Sequence, residues 1–457
     1  MDSGGGPADE AHTPSSGTRP ILEHGRHEMA SLPIPDELMA EVLLRLPAAA
    51  DLVRASAACV SFRRVAADRS FLRRYRKLHA QPLLGFLNQH KVFYPAIAPH
   101  PSAPAASAVA LAADFSFSFL PAPLDDWIVR DIRDGRVLLD RPPQHDIDNR
   151  YNVVFPELVV CDPLHRRYIL LPPIPDNLTA TVEDHPLWLT RHRYCETFLA
   201  PSHDDEDEMS FSVIWMAQCR TKPVAFVFFS STGQWQAIPS KSWSDLLAGS
   251  LSSTGKPLFS RRQYAYGSFY WVTDFREKLL VLDTQRMDFS IAETPSEATA
   301  LALPGVATAI VEAGEGRLGM FVRQCYENCL NYTIRRISCD GSSQWKSEKT
   351  IPLDFDYFFI GSAGRHLFLY QLSGPSLDAG CFSLDVKTFQ LERVFVSSSC
   401  FPNLCAYSIF PPSLLSTPTV PSELRRRCWN MGVLQAQVQS HHGQTSADAN
   451  AGGQAKD

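Results

Sequence analysis

The chain has 457 residues, 45% hydrophobic and 20% charged, with a formal net charge of −6. This is ordinary globular composition for about two or three domains, and its mild acidity excludes a nucleic-acid footprint spread over the whole molecule. The nearest approach to a membrane span, Ala105 to Leu124, carries Asp114 and several Ser and Pro residues, whereas a spanning helix needs about 20 uninterrupted apolar residues.

Residues 1–30 are rich in Gly, Pro, Ser and His without an apolar period and are predicted to be disordered. The opening MDSGGGPADE lacks the basic and apolar regions of a secretory leader. Eleven cysteines are therefore expected as free thiols in a reducing compartment, nuclear or cytoplasmic.

Residues 31–80 read as consecutive short helices. Leu38, Val42 and Leu46 recur every four residues, with Met39 and Leu43 beside them, which predicts one apolar stripe. Pro35 suits the first turn, Asp36 and Glu37 complement the positive end of the helix dipole, and Pro47 is expected to stop the helix. Asp51 is expected to cap a second helix whose apolar face includes Leu52, Ala55 and Cys59. Ser70 is expected to cap a third, Phe71 to His79. The arginines from Arg63 to Arg76 interleave with Phe62, Val65, Phe71, Leu72 and Tyr75, the pattern of a wet helix face rather than a DNA-reading helix.

Beyond residue 83 short apolar runs alternate with turn residues, an all-β signature. An apolar residue, an Asp, a polar turn and a second apolar residue recur as Cys161-Asp162…Tyr168, Leu282-Asp283…Phe289 and Leu384-Asp385…Leu391. Related turns pair Gly with Trp, at Gly233…Trp235 and Gly341…Trp345. Gly135, Gly267, Gly316 and Gly364 open strands. The anchors recur every 45 to 68 residues. A four-stranded propeller blade takes about 40–50 residues, so residues 83–415 are expected to form a propeller-like ring of about six blades, with seven blades or a β-sandwich as alternatives. From residue 416 to 457 the chain turns polar and is predicted to be disordered. Arg425-Arg426-Arg427 there reads either as a nuclear address or as solubilising charge.

Chemistry-bearing patterns are scarce. No P-loop, dinucleotide fingerprint, HExxH or GxSxG is present. The run Asp204 to Glu208 lacks the alternating ligands of a calcium loop. The spacings of His185, His192 and Cys195, and of Cys325, Cys329 and Cys339, match no metal site. No cofactor or catalytic residue is expected.

Residues 32–76 resemble an F-box: Leu32-Pro33, Pro35-Asp36-Glu37-Leu38, Val42-Leu43, Leu46-Pro47, Asp51-Leu52 and Cys59-Val60-Ser61-Phe62-Arg63. The family pattern has Trp where Phe62 stands and basic residues where Val60 and Ser61 stand. Phe keeps the aromatic bulk, so weaker contacts rather than lost binding are expected. Asp162-Pro163 with Leu170-Leu171-Pro172-Pro173, and Tyr407 to Leu414, resemble the F-box-associated repeats of plant, grass-type receptors.

The resemblance implies an α+β multidomain receptor without catalytic activity. It would dock on a Skp-type adaptor, and through it on cullin, while the β domain holds an unknown protein substrate for ubiquitination. Neither nucleic acid nor membrane is implied as a partner. Leu32, Pro33, Leu38, Val42, Leu43, Leu46, Pro47, Leu52, Cys59 and Phe62 are the adaptor-contacting or supporting residues it implies. The composition agrees, because a module of about 45 residues makes an insufficient core alone. The alternatives are a propeller lectin or carbohydrate-active protein with an unrelated helical leader, and an F-box scaffold working outside the ligase.

Overall fold

The computed structural model describes residues 34–46, 49–79, 81–141, 155–182, 195–201, 210–219, 221–247, 262–272, 278–295, 307–323, 328–337, 343–353, 357–371, 379–397 and 404–409. The segments 1–30 and 416–457, His185, His192, the acidic run 204–208, Cys325 and Cys339 lie outside them. The chain divides into two compact units, Met1–Tyr75 and Arg76–Asp457.

The first unit contains α1 (Asp36–Leu43), α2 (Ala49–Ala58), α3 (Val60–Ala66) and most of α4 (Arg69–Leu78). Its core gathers Met39, Leu43, Leu52, Val65, Phe71, Leu72 and Tyr75. The first helix stops ahead of Pro47, and two expected caps need correction. α1 ends at Leu43, before Pro47, and its last amides turn to i−3 carbonyls (Arg45 N to Val42 O, 3.1 Å; Leu46 N to Leu43 O, 3.2 Å). A residue preceding proline disfavours the helical region, so the helix tightens and stops early. Asp51 is not a cap: α2 begins two residues before it, and its carboxylate pairs with Arg54 at 2.6 Å. The cap of α4 is Asp68 instead of Ser70. Asp68 Oδ1 accepts from Phe71 N at 2.9 Å, and Ser70 Oγ donates to the same oxygen.

The second unit is a six-bladed β-propeller. Five blades have four antiparallel strands each. They are β3 (Ile128–Arg133), β4 (Arg136–Arg141), β5 (Glu157–Asp162), β6 (Arg167–Leu170); β7 (Cys195–Ala200), β8 (Ser212–Gln218), β9 (Pro223–Phe229), β10 (Gln234–Ile238); β11 (Gln263–Ala265), β12 (Ser268–Val272), β13 (Lys278–Asp283), β14 (Asp288–Glu293); β15 (Ala307–Glu312), β16 (Leu318–Arg323), β17 (Cys329–Ile337), β18 (Ser343–Pro352); and β19 (Tyr357–Ala363), β20 (His366–Gln371), β21 (Gly380–Asp385), β22 (Leu391–Val396). The sixth blade joins the two ends of the ring: β1 (Leu83–Asn88) lies between β2 (Phe93–Pro95) and β23 (Leu404–Ser408). The first strand of each four-stranded blade, together with β23, faces the axis. Closing the ring with its own terminal strand ties the two ends of the chain together, and radial repetition leaves only short, protected edges.

The repeats map onto this plan. The Gly residues expected to open strands sit in hairpins joining each innermost strand to the next. Asp134-Gly135, Tyr266-Gly267 and Glu315-Gly316 each place two successive residues at positive φ, the backbone a two-residue hairpin requires. The repeated Asp residues turn the third strand into the fourth. Asp162 Oδ1 accepts from Leu164 N (2.9 Å), Asp283 Oδ1 from Gln285 N (2.8 Å) and Asp385 Oδ1 from Lys387 N (2.8 Å). The flanking apolar residues pair across these hairpins: Cys161 with Tyr168, Leu282 with Phe289 and Leu384 with Leu391.

The sixth blade has three strands among the described residues. α5 (Ala103–Ala112) packs against β1 and β2, and the segment after it lays Phe115 on the sheet. Phe93 stacks on Phe115 at 4.1 Å, and Tyr407 meets Phe115 edge-on at 5.2 Å. Tyr407 is fully buried and its Oη has no hydrogen-bond partner among the described residues. Tyr407→Phe is expected to stabilise the ring by about 1–2 kcal/mol, because the buried hydroxyl is desolvated without return. A higher urea midpoint at pH 7 is the expected reading; a lower one would mean the hydroxyl has a partner.

Candidate functional site

Two features stand out, one in each unit. In the helical unit, α1 buries Met39 and Leu43 (3% exposed each) and turns Leu38 (58%) and Val42 (65%) to solvent. Ile34, 45% exposed, extends the same four-residue spacing, a position the stripe Leu38–Val42–Leu46 left out. Leu46 is half-buried, since the helix has ended before it, and its carbonyl accepts from Tyr75 Oη at 3.4 Å. Leu52 is buried in the core, while Cys59 and Phe62 are half-buried. The Cys59 thiol is held below its usual pKa by the backbone N–H of Phe62. Leu32, Pro33 and Pro47 lie outside the described residues.

Ion pairs hold α1 in place. Asp36 pairs with Arg64 of α3 at 2.7 Å, and Glu41 with Arg74 of α4. These two arginines are exposed, as expected of a wet face, and such pairs add orientation more than stability. Beside them runs a groove of ≈ 470 Å³ with a mixed lining, where Glu37, Glu41, Arg64 and Arg74 stand beside Leu38 and Phe71. The outcome is a firmly seated helix that turns Leu38 and Val42 outward beside Glu37 and Glu41, and the aliphatic pair loses water favourably against a matching wall.

In the ring, the axis holds a charge network that sequence reading missed, because its ion-paired members are 66 and 131 residues apart. Arg262, just before β11, pairs with Asp131 of β3 at 3.2 Å and with Glu196 of β7 at 2.8 Å. Glu196 Oε1 also accepts from Trp271 Nε1 at 2.6 Å, and Asp131 Oδ2 from Leu199 N at 2.9 Å. The Arg262 guanidinium lies 4.2 Å over the Phe198 ring, and Arg133 lies 4.1 Å over Tyr264. Burial works against the Arg262 charge, but Asp131 and Glu196 outweigh it and hold its pKa above the ordinary arginine value. Each oxygen of the two carboxylates accepts from a donor, which makes the network a brace across three blades. Among the described residues no group of three His, Cys, Asp or Glu side chains is placed to hold a metal ion. No helix among them is long and apolar enough to cross a membrane.

The chain matches no protein-family model and no curated protein. Solved structures similar to it include a nidogen/laminin complex (11% identity, 71% of this chain and 98% of that one, TM-score 0.36). Another is TolB from Acinetobacter baumannii (11%, 59% and 53%, TM-score 0.31). A third is the β-propeller domain of the Trilobed protease from Pyrococcus furiosus (12%, 59% and 67%, TM-score 0.29). The strand topology described above establishes the six-bladed propeller, an architecture consistent with a protein-interaction domain.

Proposed function

We propose that this chain is the substrate-recognition subunit of a Skp-cullin-F-box ubiquitin ligase. The α1 face docks on the Skp-type adaptor, and the propeller holds the protein to be ubiquitinated. The observation that carries this reading is the outward placement of Leu38 and Val42 on a helix already anchored from behind by Met39 and Leu43, within the segment that resembles an F-box. The chain itself performs no bond chemistry in this scheme. It raises the effective concentration of a substrate lysine near a ubiquitin-charged enzyme carried by another subunit.

The test is a pull-down of purified full-length chain with a Skp-type adaptor. Leu38→Asp/Val42→Asp is expected to weaken adaptor binding by at least about a hundredfold, since two buried aliphatic contacts become buried charges. Both side chains are solvent-exposed in the free chain, so the variant is expected to keep its circular dichroism spectrum. Retained spectrum with undiminished binding would overturn the assignment, as would absence of adaptor binding by the wild-type chain.

A further inference from the structure

The β17–β18 hairpin is the longest among the described residues of the ring, with strands of nine and ten residues where the others described have three to seven. β18 is exposed along nearly its whole length and forms the outer edge of its blade. One row of its backbone donors and acceptors therefore faces no other strand among the described residues. Register assigns its side chains to faces. Ile334 pairs with Lys346 and Tyr332 with Lys349, and directly opposed residues in an antiparallel pair share a face. Tyr332 meets Phe389 of the next blade edge-on at 5.4 Å, and Ile334 packs in the same cluster. Lys346 and Lys349 therefore look toward the β21–β22 turn, which contributes Lys387.

All three lysines are exposed, and the Lys349 ammonium lies 4.2 Å over the Phe389 ring. The acids on this side are already engaged among the described residues: Glu348 with Arg336 at 2.6 Å and Asp385 with Arg365 at 3.0 Å. In a chain of net charge −6, this leaves a local excess of three positive charges beside a free strand edge.

We infer that the outer edge of β18 is a docking surface for an extended acidic peptide segment of a partner protein. The partner's backbone would pair with the edge, and its carboxylates would meet Lys346, Lys349 and Lys387. A nucleic acid fits less well, because the cluster is small, Tyr332 is buried and the Phe389 ring is already covered by Lys349. The inference concerns the ring and does not depend on adaptor binding by the helical unit.

The experiment titrates full-length chain into a fluorescein-labelled peptide of alternating Glu and Thr, followed by anisotropy. A matched Lys–Thr peptide and a single-stranded oligo-dT serve as competitors of different chemistry. Binding of the Glu–Thr peptide is expected to weaken with added salt, to protect β18 amides from exchange, and to fall about tenfold or more in Lys346→Glu/Lys387→Glu. If that variant does not fold, Lys346→Gln/Lys387→Gln replaces it, with a smaller loss expected in the same direction. No binding at low ionic strength, binding unchanged by either variant, or tighter binding of oligo-dT would each overturn the proposal.

Discussion

Arg262→Met is expected to destabilise the propeller by about 3 kcal/mol, because it strands two carboxylates that share one cation inside the ring. Asp131 is 14% exposed, Glu196 28% and Arg262 16%. Partial access to water places the effect at the lower end of the range for breaking a buried pair. The neutral variant Arg262→Met/Asp131→Asn/Glu196→Gln separates charge from packing. It removes both orphaned charges while an amide oxygen can still accept from Leu199 N and Trp271 Nε1. More than half of the lost stability is expected to return. Urea unfolding followed through tryptophan fluorescence reads both steps. A triple variant as unstable as Arg262→Met would show that the guanidinium acts through its contact with Phe198 instead.

Gly85→Ala is the second large effect. Gly85 holds φ at +153° in β1, the middle strand of the closing blade, next to a bulge in its pairing with β23. A Cβ there would stand 2.2 Å from Tyr94 O and 2.9 Å from Pro95 Cα, both backbone atoms of β2. Neither can yield as a side-chain tip could, so β2 must shift away from β1. The expected cost is about 3 kcal/mol or more, combining backbone strain with lost strand pairing. Because this blade joins the two ends of the ring, amide exchange should rise first in β1, β2 and β23. Exchange unchanged in those strands with a wild-type urea midpoint would mean that the blade tolerates the displacement.

Much of the architecture is written in short-range pattern. The Asp162, Asp283 and Asp385 turns are legible because an Asx turn is a contact between a side chain and a backbone two residues on. The Gly residues at 135, 267, 316 and 364 are legible because positive φ is a local demand. Those two signals, repeated, yield the number of blades closely. Helix ends were less legible. Asp51 and Ser70 looked like caps by residue type, but the observed start of each helix depends on where the preceding turn ends.

For the helical unit, spacing alone determined that α1 has an apolar stripe; tertiary packing decided which part of it is spent on the chain's own core. Met39 and Leu43 are buried in the helical core, leaving Leu38 and Val42 outside, a division that periodicity cannot make when five of eight residues are apolar. For the ring, the sequence determined the hairpins, while the tertiary structure alone decided the closure of β1 on β23, the Arg262 brace and the lysine edge of β18. Each of these joins residues from separate strands or blades, most of them scores to hundreds of positions apart, and nothing local in a chain records which distant strand will stand beside it.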